Sequence, residues 1–154
     1  MVTTKILLTK EGFQNLKDEY KSLVDVKRTE IAEKIQSARE MGDLSENAAY
    51  HTAKEEQAFL EGRVSELEEL FRNAEVVEKD NNKTSVGIGS KVKVRIDGGD
   101  ETFWIVGAYE ADPAVGKISH ESPIGQALLG KKIGEEINVE APIGTVKYKI
   151  VSIE

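Results

Sequence analysis

Asp43 and Glu46 stand three residues apart in the stretch MGDLSENAAYHTAKEEQAF, Met41 to Phe59, with Gly42 and Ser45 beside them. Two carboxylates at that spacing in a short turn have two uses. They can form a capping box, one capping the N3 amide of the following helix while the other reaches back to the cap, with Ser45 as a rival N-cap. They can also serve a hard cation. Mg²⁺ takes oxygen ligands, often only one or two carboxylates, and completes its octahedron with water and substrate phosphate. Two acids do not hold it tightly by themselves. Brought to a site that already has one metal, they can complete a second about 4 Å away, where the pair activates water and stabilises the leaving oxygen of a phosphodiester. On that reading the turn lends ligands to another protein's active site.

Both readings need a rigid support. Upstream, Thr9 is a good N-cap and Glu11 suits a first helical turn. Phe13, Leu16, Tyr20 and Leu23 then repeat as a coiled-coil seam. The seam slips where Val24 takes over: Tyr20, Val24 and Arg28 step by four before Ile31, Ile35 and Ala38 resume, which predicts a stutter that locally unwinds the supercoil. Downstream, Tyr50, Ala53, Gln57, Leu60, Val64, Leu67, Phe71 and Ala74 keep one unbroken seam. The spacing predicts two antiparallel helices of about 30 residues, thin at the tip and held by large residues at the base, with the tip ~45 Å out at ~1.5 Å per residue.

The chain then changes character. The polar stretch from Val77 to Ser90 reads as a linker, and Gly87-Ile88-Gly89 lacks the Lys-Ser/Thr of a phosphate loop. Val92, Val94 and Ile96 alternate, Asp97-Gly98-Gly99-Asp100 turns, and Thr102 to Val106 returns. Ile124 to Leu129 reads as a short helix ended by Gly130, and two more alternating runs flank Pro142–Thr145. The aromatic residues Phe103, Trp104, Tyr109 and Tyr148 read as core of this sheet. The expected class is α+β: a helical hairpin over 1–76, a linker over 77–90, and a small antiparallel sheet with one helix over 91–154.

Composition narrows the function. The net charge of −7 lies almost wholly in residues 1–78, with 11 basic against 17 acidic side chains. A free nucleic-acid binder needs the opposite sign, so any nucleic acid is expected to be presented by a partner. Cysteine is absent, and His51 and His120 are too few for a zinc site. No apolar run reaches 18 residues, and the amino-terminal apolar patch is too short for a secretory signal. A cytoplasmic protein with no membrane partner is expected.

GDLSENA-x-YH, followed by AKEEQAFLEGRVSELEELFRNAEVV, resembles the Gre transcript cleavage factors of bacterial RNA polymerase. SPIGQALLGKKIGEEINVEAPIGTVKYKIVSIE resembles their FKBP-like carboxy-terminal domain, and the acidity is nearer the GreA branch than the GreB branch. The resemblance implies a factor whose globular domain docks at the polymerase secondary channel while its coiled coil enters it. It implies that Asp43 and Glu46 help bind a second Mg²⁺, shared with the polymerase and not held tightly alone, and position the attacking water. The polymerase itself would then cut backtracked RNA, so the factor would be no enzyme. Arg39 and Lys54 match family positions facing the extruded RNA 3′ end, and Tyr50 and Asn47, which also match the motif, are expected to face it with them. Ser122, Pro123 and Ile124 match the polymerase-docking region, where the plain alternative is a helix-start turn. Ala49 departs from the pattern, since many members have glutamate there.

Three rivals follow. A Gre-like homologue could occupy the channel and inhibit; the two acids at the family spacing favour stimulation instead. The sheet half is similar to FKBP prolyl isomerases or chaperones, but it offers only four aromatics for a pocket and gives no reason for the acidic hairpin. An adaptor dimerising through the coiled coil would need apolar surface that the paired seams already consume, so a monomer is expected. Lys27, Arg28 and Lys34 are weaker RNA-facing candidates, more simply read as solvated helix charge or, for Arg28, a packed stem. His51 reads as a helix-surface residue.

Overall fold

Helical and strand periodicities divide the chain much as their spacing requires. The structure, a computed structural model, describes residues 5–78 and 84–154. It forms two compact units: Gln14–Asn73, and Met1–Phe13 together with Ala74–Glu154.

The first unit is the hairpin. Helix α1 (Lys10–Ser22) passes through one π-helical turn, Leu23–Lys27, into α2 (Arg28–Arg39), and α3 (Ala48–Asn73) follows the acidic turn. The π turn explains the slip at Val24. It takes up an extra residue within one helix, so Tyr20, Leu23 and Val24 all lean on the core of Ile31, Ile35, Ala53, Leu60 and Val64. The expected unwinding of a supercoil is thus a local change of helix type. Near the acidic turn the buried residues are small, Ala38 and Ala53; farther along α3 they are Leu60, Val64, Leu67 and Leu70. Each fully buried Leu contributes about 1.5–3 kcal/mol of transfer free energy. Cross-helix pairs line the flanks: Glu19–Arg63 at 2.9 Å, Arg28–Glu61 at 2.7 Å and Lys34–Glu56 at 3.1 Å. Being half exposed, they set register more than stability. A fragment spanning Gln14–Asn73 should therefore give a dominantly helical circular dichroism spectrum; a β-rich one would contradict this packing.

The second unit departs from the expected boundaries at both ends of the hairpin. Helix α3 stops at Asn73, and β2 (Ala74–Val77) pairs in parallel with β1 (Ile6–Thr9), from Ile6 opposite Ala74 to Thr9 opposite Val77. The apolar Ile6-Leu7-Leu8 run, with Leu8 fully buried, requires a sheet partner that the seam pattern did not supply. Of the expected linker over 77–90, residues 79–83 lie outside the described residues, Val77 ends β2, and the remainder is folded. Val86 is 3% exposed, its amide donates to the Lys131 carbonyl at 2.9 Å, and the Ser90 hydroxyl accepts from the Gly87 amide at 2.9 Å. One apolar side chain in a polar stretch is enough to dock it.

The main sheet has the order β5–β4–β3–β7–β6, formed by β3 (Lys91–Ile96), β4 (Gly99–Val106), β5 (Lys117–Ser119), β6 (Glu136–Ala141) and β7 (Gly144–Ile153). Its neighbours are antiparallel except β4 and β5. Asp97-Gly98 makes the predicted hairpin turn, Gly98 taking φ +95° where a side chain would be strained. Helix α4 (Pro123–Leu128) buries Leu128 against Val92, Val94, Ile105 and Ile150. Phe103 meets Tyr148 edge to face with ring centroids 6.2 Å apart. Trp104 and Tyr109 are not core. Strand alternation sends Trp104 to the opposite face, 37% exposed beneath the Lys91 ammonium, and Tyr109 is 51% exposed in the short 3₁₀ turn Ala108–Glu110. Among the described residues no helix is long and apolar enough to cross a membrane.

Candidate functional site

At the turn between α2 and α3 it is Asn47, not either acid, that caps α3. Asn47 precedes the first residue of α3, and its Oδ1 accepts from the Tyr50 amide at 3.0 Å, the N3 bond of a helix cap. Its Nδ2 donates across the turn to the Ala38 carbonyl at 2.5 Å, which also accepts from the Met41 amide at 3.1 Å at the end of α2. One half-buried side chain therefore clamps both helices. The signal was in the sequence, since Asn ranks with Asp and Ser as an N-cap and immediately precedes the helical run. Asn47 was expected to face RNA; its two side-chain hydrogen bonds serve the turn.

Asp43 and Glu46 form no capping box. Asp43 Oδ1 accepts from the Ser45 amide at 3.0 Å and from the Ser45 hydroxyl at 2.9 Å, a local turn that leaves Oδ2 without a hydrogen bond to any described residue. The amide, and secondarily the hydroxyl, hold the Asp43 carboxyl below the usual carboxylate range. Because the folded value is the lower one, this support is complete above the ordinary aspartate range and disappears as pH falls through the depressed value. A titration followed at the Ser45 amide by NMR should show its midpoint below that of an unstructured aspartate; a normal midpoint would mean the turn is not formed in solution. Glu46 is exposed and forms no hydrogen bond or ion pair with any described residue. Among the described residues no cluster of three or more His, Cys, Asp or Glu side chains could hold a metal. Two carboxylates, one partly committed, fit a cation only where other ligands complete the shell.

Two of the basic residues come together on one side. Arg39 and Lys54 line a surface groove of about 500 Å³ with Gln36, Glu40 and Gln57. Arg39 lies 5.9 Å from the Tyr50 ring centroid, a cation–π contact that orients the guanidinium, and Lys54 donates to Gln57 Oε1 at 3.0 Å. The other side is lined by Met41, Ala48, Ala49 and Ala53 with Glu30, Glu33 and Lys34. His51 sits with Nε2 3.4 Å from the Ser45 carbonyl and its ring edge-on to Tyr50. Of the weaker candidates, Lys27 pairs with Glu30 at 3.5 Å, and Arg28 and Lys34 serve the cross-helix pairs. That is the solvated-charge reading.

Ser122, Pro123 and Ile124 lie in the second unit at the start of α4. The Ser122 hydroxyl accepts from the Gly125 amide at 3.1 Å and donates to the Ser119 carbonyl at 2.7 Å. Pro123 occupies the first helical turn, exposed, and Ile124 packs partly on the sheet core. These contacts make the helix start; Pro123 alone of the three is exposed.

Two family models account for nearly the whole chain. One, described as "Transcription elongation factor, N-terminal", matches residues 6–76, and the other, "Transcription elongation factor, GreA/GreB, C-term", matches residues 81–154. A protein of Thermomicrobium roseum named transcription elongation factor GreA is 48% identical over 156 residues, covering 100% of both chains. One of the same name from Bacillus subtilis is 51% identical over 148 residues, covering 95% of this chain and 94% of its own. The crystal structure of GreA factor homolog 1 of Thermus thermophilus is 27% identical and covers 97% of this chain and 99% of its own, with a TM-score of 0.44.

Proposed function

The chain belongs to the GreA/GreB family of transcription elongation factors, and from that premise we propose that it stimulates RNA polymerase to cleave backtracked RNA. The observation that carries this reading is the division of labour in the turn. Asn47 caps α3 and reaches across to the Ala38 carbonyl, so neither acid is needed as the helix cap. Asp43 Oδ2 and the whole Glu46 carboxylate remain for a partner's site.

The hairpin presents the two acids inside the polymerase, where they and the polymerase's own residues would share a magnesium ion. That ion supplies a polarised water and charge neutralisation at the leaving oxygen. Asp43 offers Oδ2, held in orientation by the two Ser45 bonds to Oδ1. Glu46 contributes the second carboxylate, as a ligand or by orienting the water. Arg39 and Lys54 bind the phosphates of the extruded 3′ end, with Tyr50 steadying Arg39. The sheet unit docks on the polymerase, Pro123 offering its exposed surface at the start of α4. The protein itself breaks no bond.

The test is direct. Added with Mg²⁺ to a purified, backtracked elongation complex, the protein should shorten the RNA from its 3′ end and restore elongation. A protein that binds the complex and leaves the RNA intact is an occupant of the channel and not a cleavage factor.

A further inference from the structure

Phe59 is the large apolar side chain that the hairpin leaves most exposed. It falls outside the α3 seam, next to Leu60, and is 82% exposed, more than any other large apolar side chain of Gln14–Asn73. It borders a surface groove whose apolar lining is Leu23, Ile31 and Leu60. Leu23 and Lys27, the two ends of the π turn, both line that groove, and such turns are frequent at functional sites. Gly62 lies three residues beyond Phe59, a neighbour on the same helix surface. A Cβ there would meet nothing within 4 Å, and its backbone is not left-handed. Nothing within the hairpin therefore calls for a glycine, which destabilises a helix interior relative to alanine. Its effect is to leave the surface beside Phe59 bare.

We propose that Phe59 anchors the hairpin on a protein wall of the polymerase, an apolar pocket flanked by cationic side chains, and that Gly62 lets this wall approach closely. This rests on the function proposed above. Ala48 to Phe59 is about 17 Å of helix at ~1.5 Å per residue, so a turn seated in the polymerase active site leaves Phe59 only that far behind, among the groups that enclose the site. Charge selects among the candidate occupants. Of the charged residues lining the groove, Arg63 pairs with Glu19 and Glu66, Lys27 with Glu30, and Glu56 with Lys34. Glu55 is exposed and forms no ion pair with any described residue. The open charge beside the apolar patch is thus negative, which repels RNA phosphates and attracts cations on a protein wall. A second copy is disfavoured as well. Residues 1–78 carry 11 basic against 17 acidic side chains, so two hairpins meeting face to face would bring like charge together. A bulky aromatic side chain seated in a desolvated pocket is a common centre of protein–protein binding.

The experiment measures binding apart from chemistry. Full-length Phe59→Ala, Phe59→Leu and Gly62→Leu compete with amino-terminally labelled parent for purified polymerase, once free of nucleic acid and once as a backtracked complex. RNA cleavage is followed against factor concentration alongside. Phe59→Ala should weaken binding to both forms at least tenfold and raise the half-saturating concentration for cleavage to match, with the saturating rate within twofold of the parent's. Phe59→Leu, still apolar, should recover part of the affinity. Thermal unfolding of Phe59→Ala should match the parent. Gly62→Leu should unfold at a higher temperature and yet bind less tightly, a pairing that a role in the hairpin's own stability does not produce. Parental affinity in Phe59→Ala overturns the proposal, as does a loss accompanied by a lowered unfolding midpoint. A loss confined to the backtracked complex assigns Phe59 to the RNA and overturns it too, and so does a dimer of the free chain in sedimentation that Phe59→Ala dissolves. If the parent binds polymerase and leaves the RNA intact, the proposed function fails, while tenfold weaker binding of Phe59→Ala still upholds the anchor.

Discussion

Asp43→Ala is expected to lower stimulated RNA cleavage by ~10²-fold or more, the scale of losing one preorganised electrostatic group from an active site. Glu46→Ala should produce a loss of similar size. Neither change removes a helix cap, because Asn47 holds that position, and both side chains are exposed. Thermal unfolding of Glu46→Ala should accordingly stay close to that of the parent, Asp43→Ala should lose only the local turn with Ser45, and both variants should compete with the parent for polymerase. Raising Mg²⁺ should restore part of the rate in whichever variant is weakened in ion binding, since occupancy rises by mass action. A variant that cleaves at the parental rate while binding normally would show that its acid takes no part in the chemistry.

Asn47→Ala should do the reverse. It removes the acceptor for the Tyr50 amide and the donor to the Ala38 carbonyl, for a stability loss of about 1–2 kcal/mol. The unfolding midpoint should fall, and cleavage should fall with it because the acids lose their support. Extra Mg²⁺ should not rescue this variant, which separates it from the acid substitutions. Asn47→Asp retains the cap oxygen and loses the cross-turn donor, so it should recover part of the stability. An Asn47→Ala protein of parental stability and reduced cleavage would instead assign Asn47 to the RNA, as its place in the motif first suggested.

What could be read along the chain was whatever repeats over a few residues. The 3–4 seam foretold α3 and its buried Ala53, Leu60, Val64 and Leu67, and the alternation at Val92 and Val94 foretold strand β3 and its core face. Thr9 and Gly98 announced a cap and a turn because each answers to its own backbone geometry. The acid pair was equally visible, though its two uses were not separable at that stage. Capping depends on which oxygen meets which amide, and Asn47, Ser45 and Asp43 all compete within five residues of chain. Only the folded turn decided among them. Tertiary structure also decided the pairing of β1 with β2, the outward face of Trp104 and the docking of Val86. The reason is physical: periodicity records how a segment divides its own surface between solvent and core. It carries no record of the distant segment that supplies the other half of a hydrogen bond.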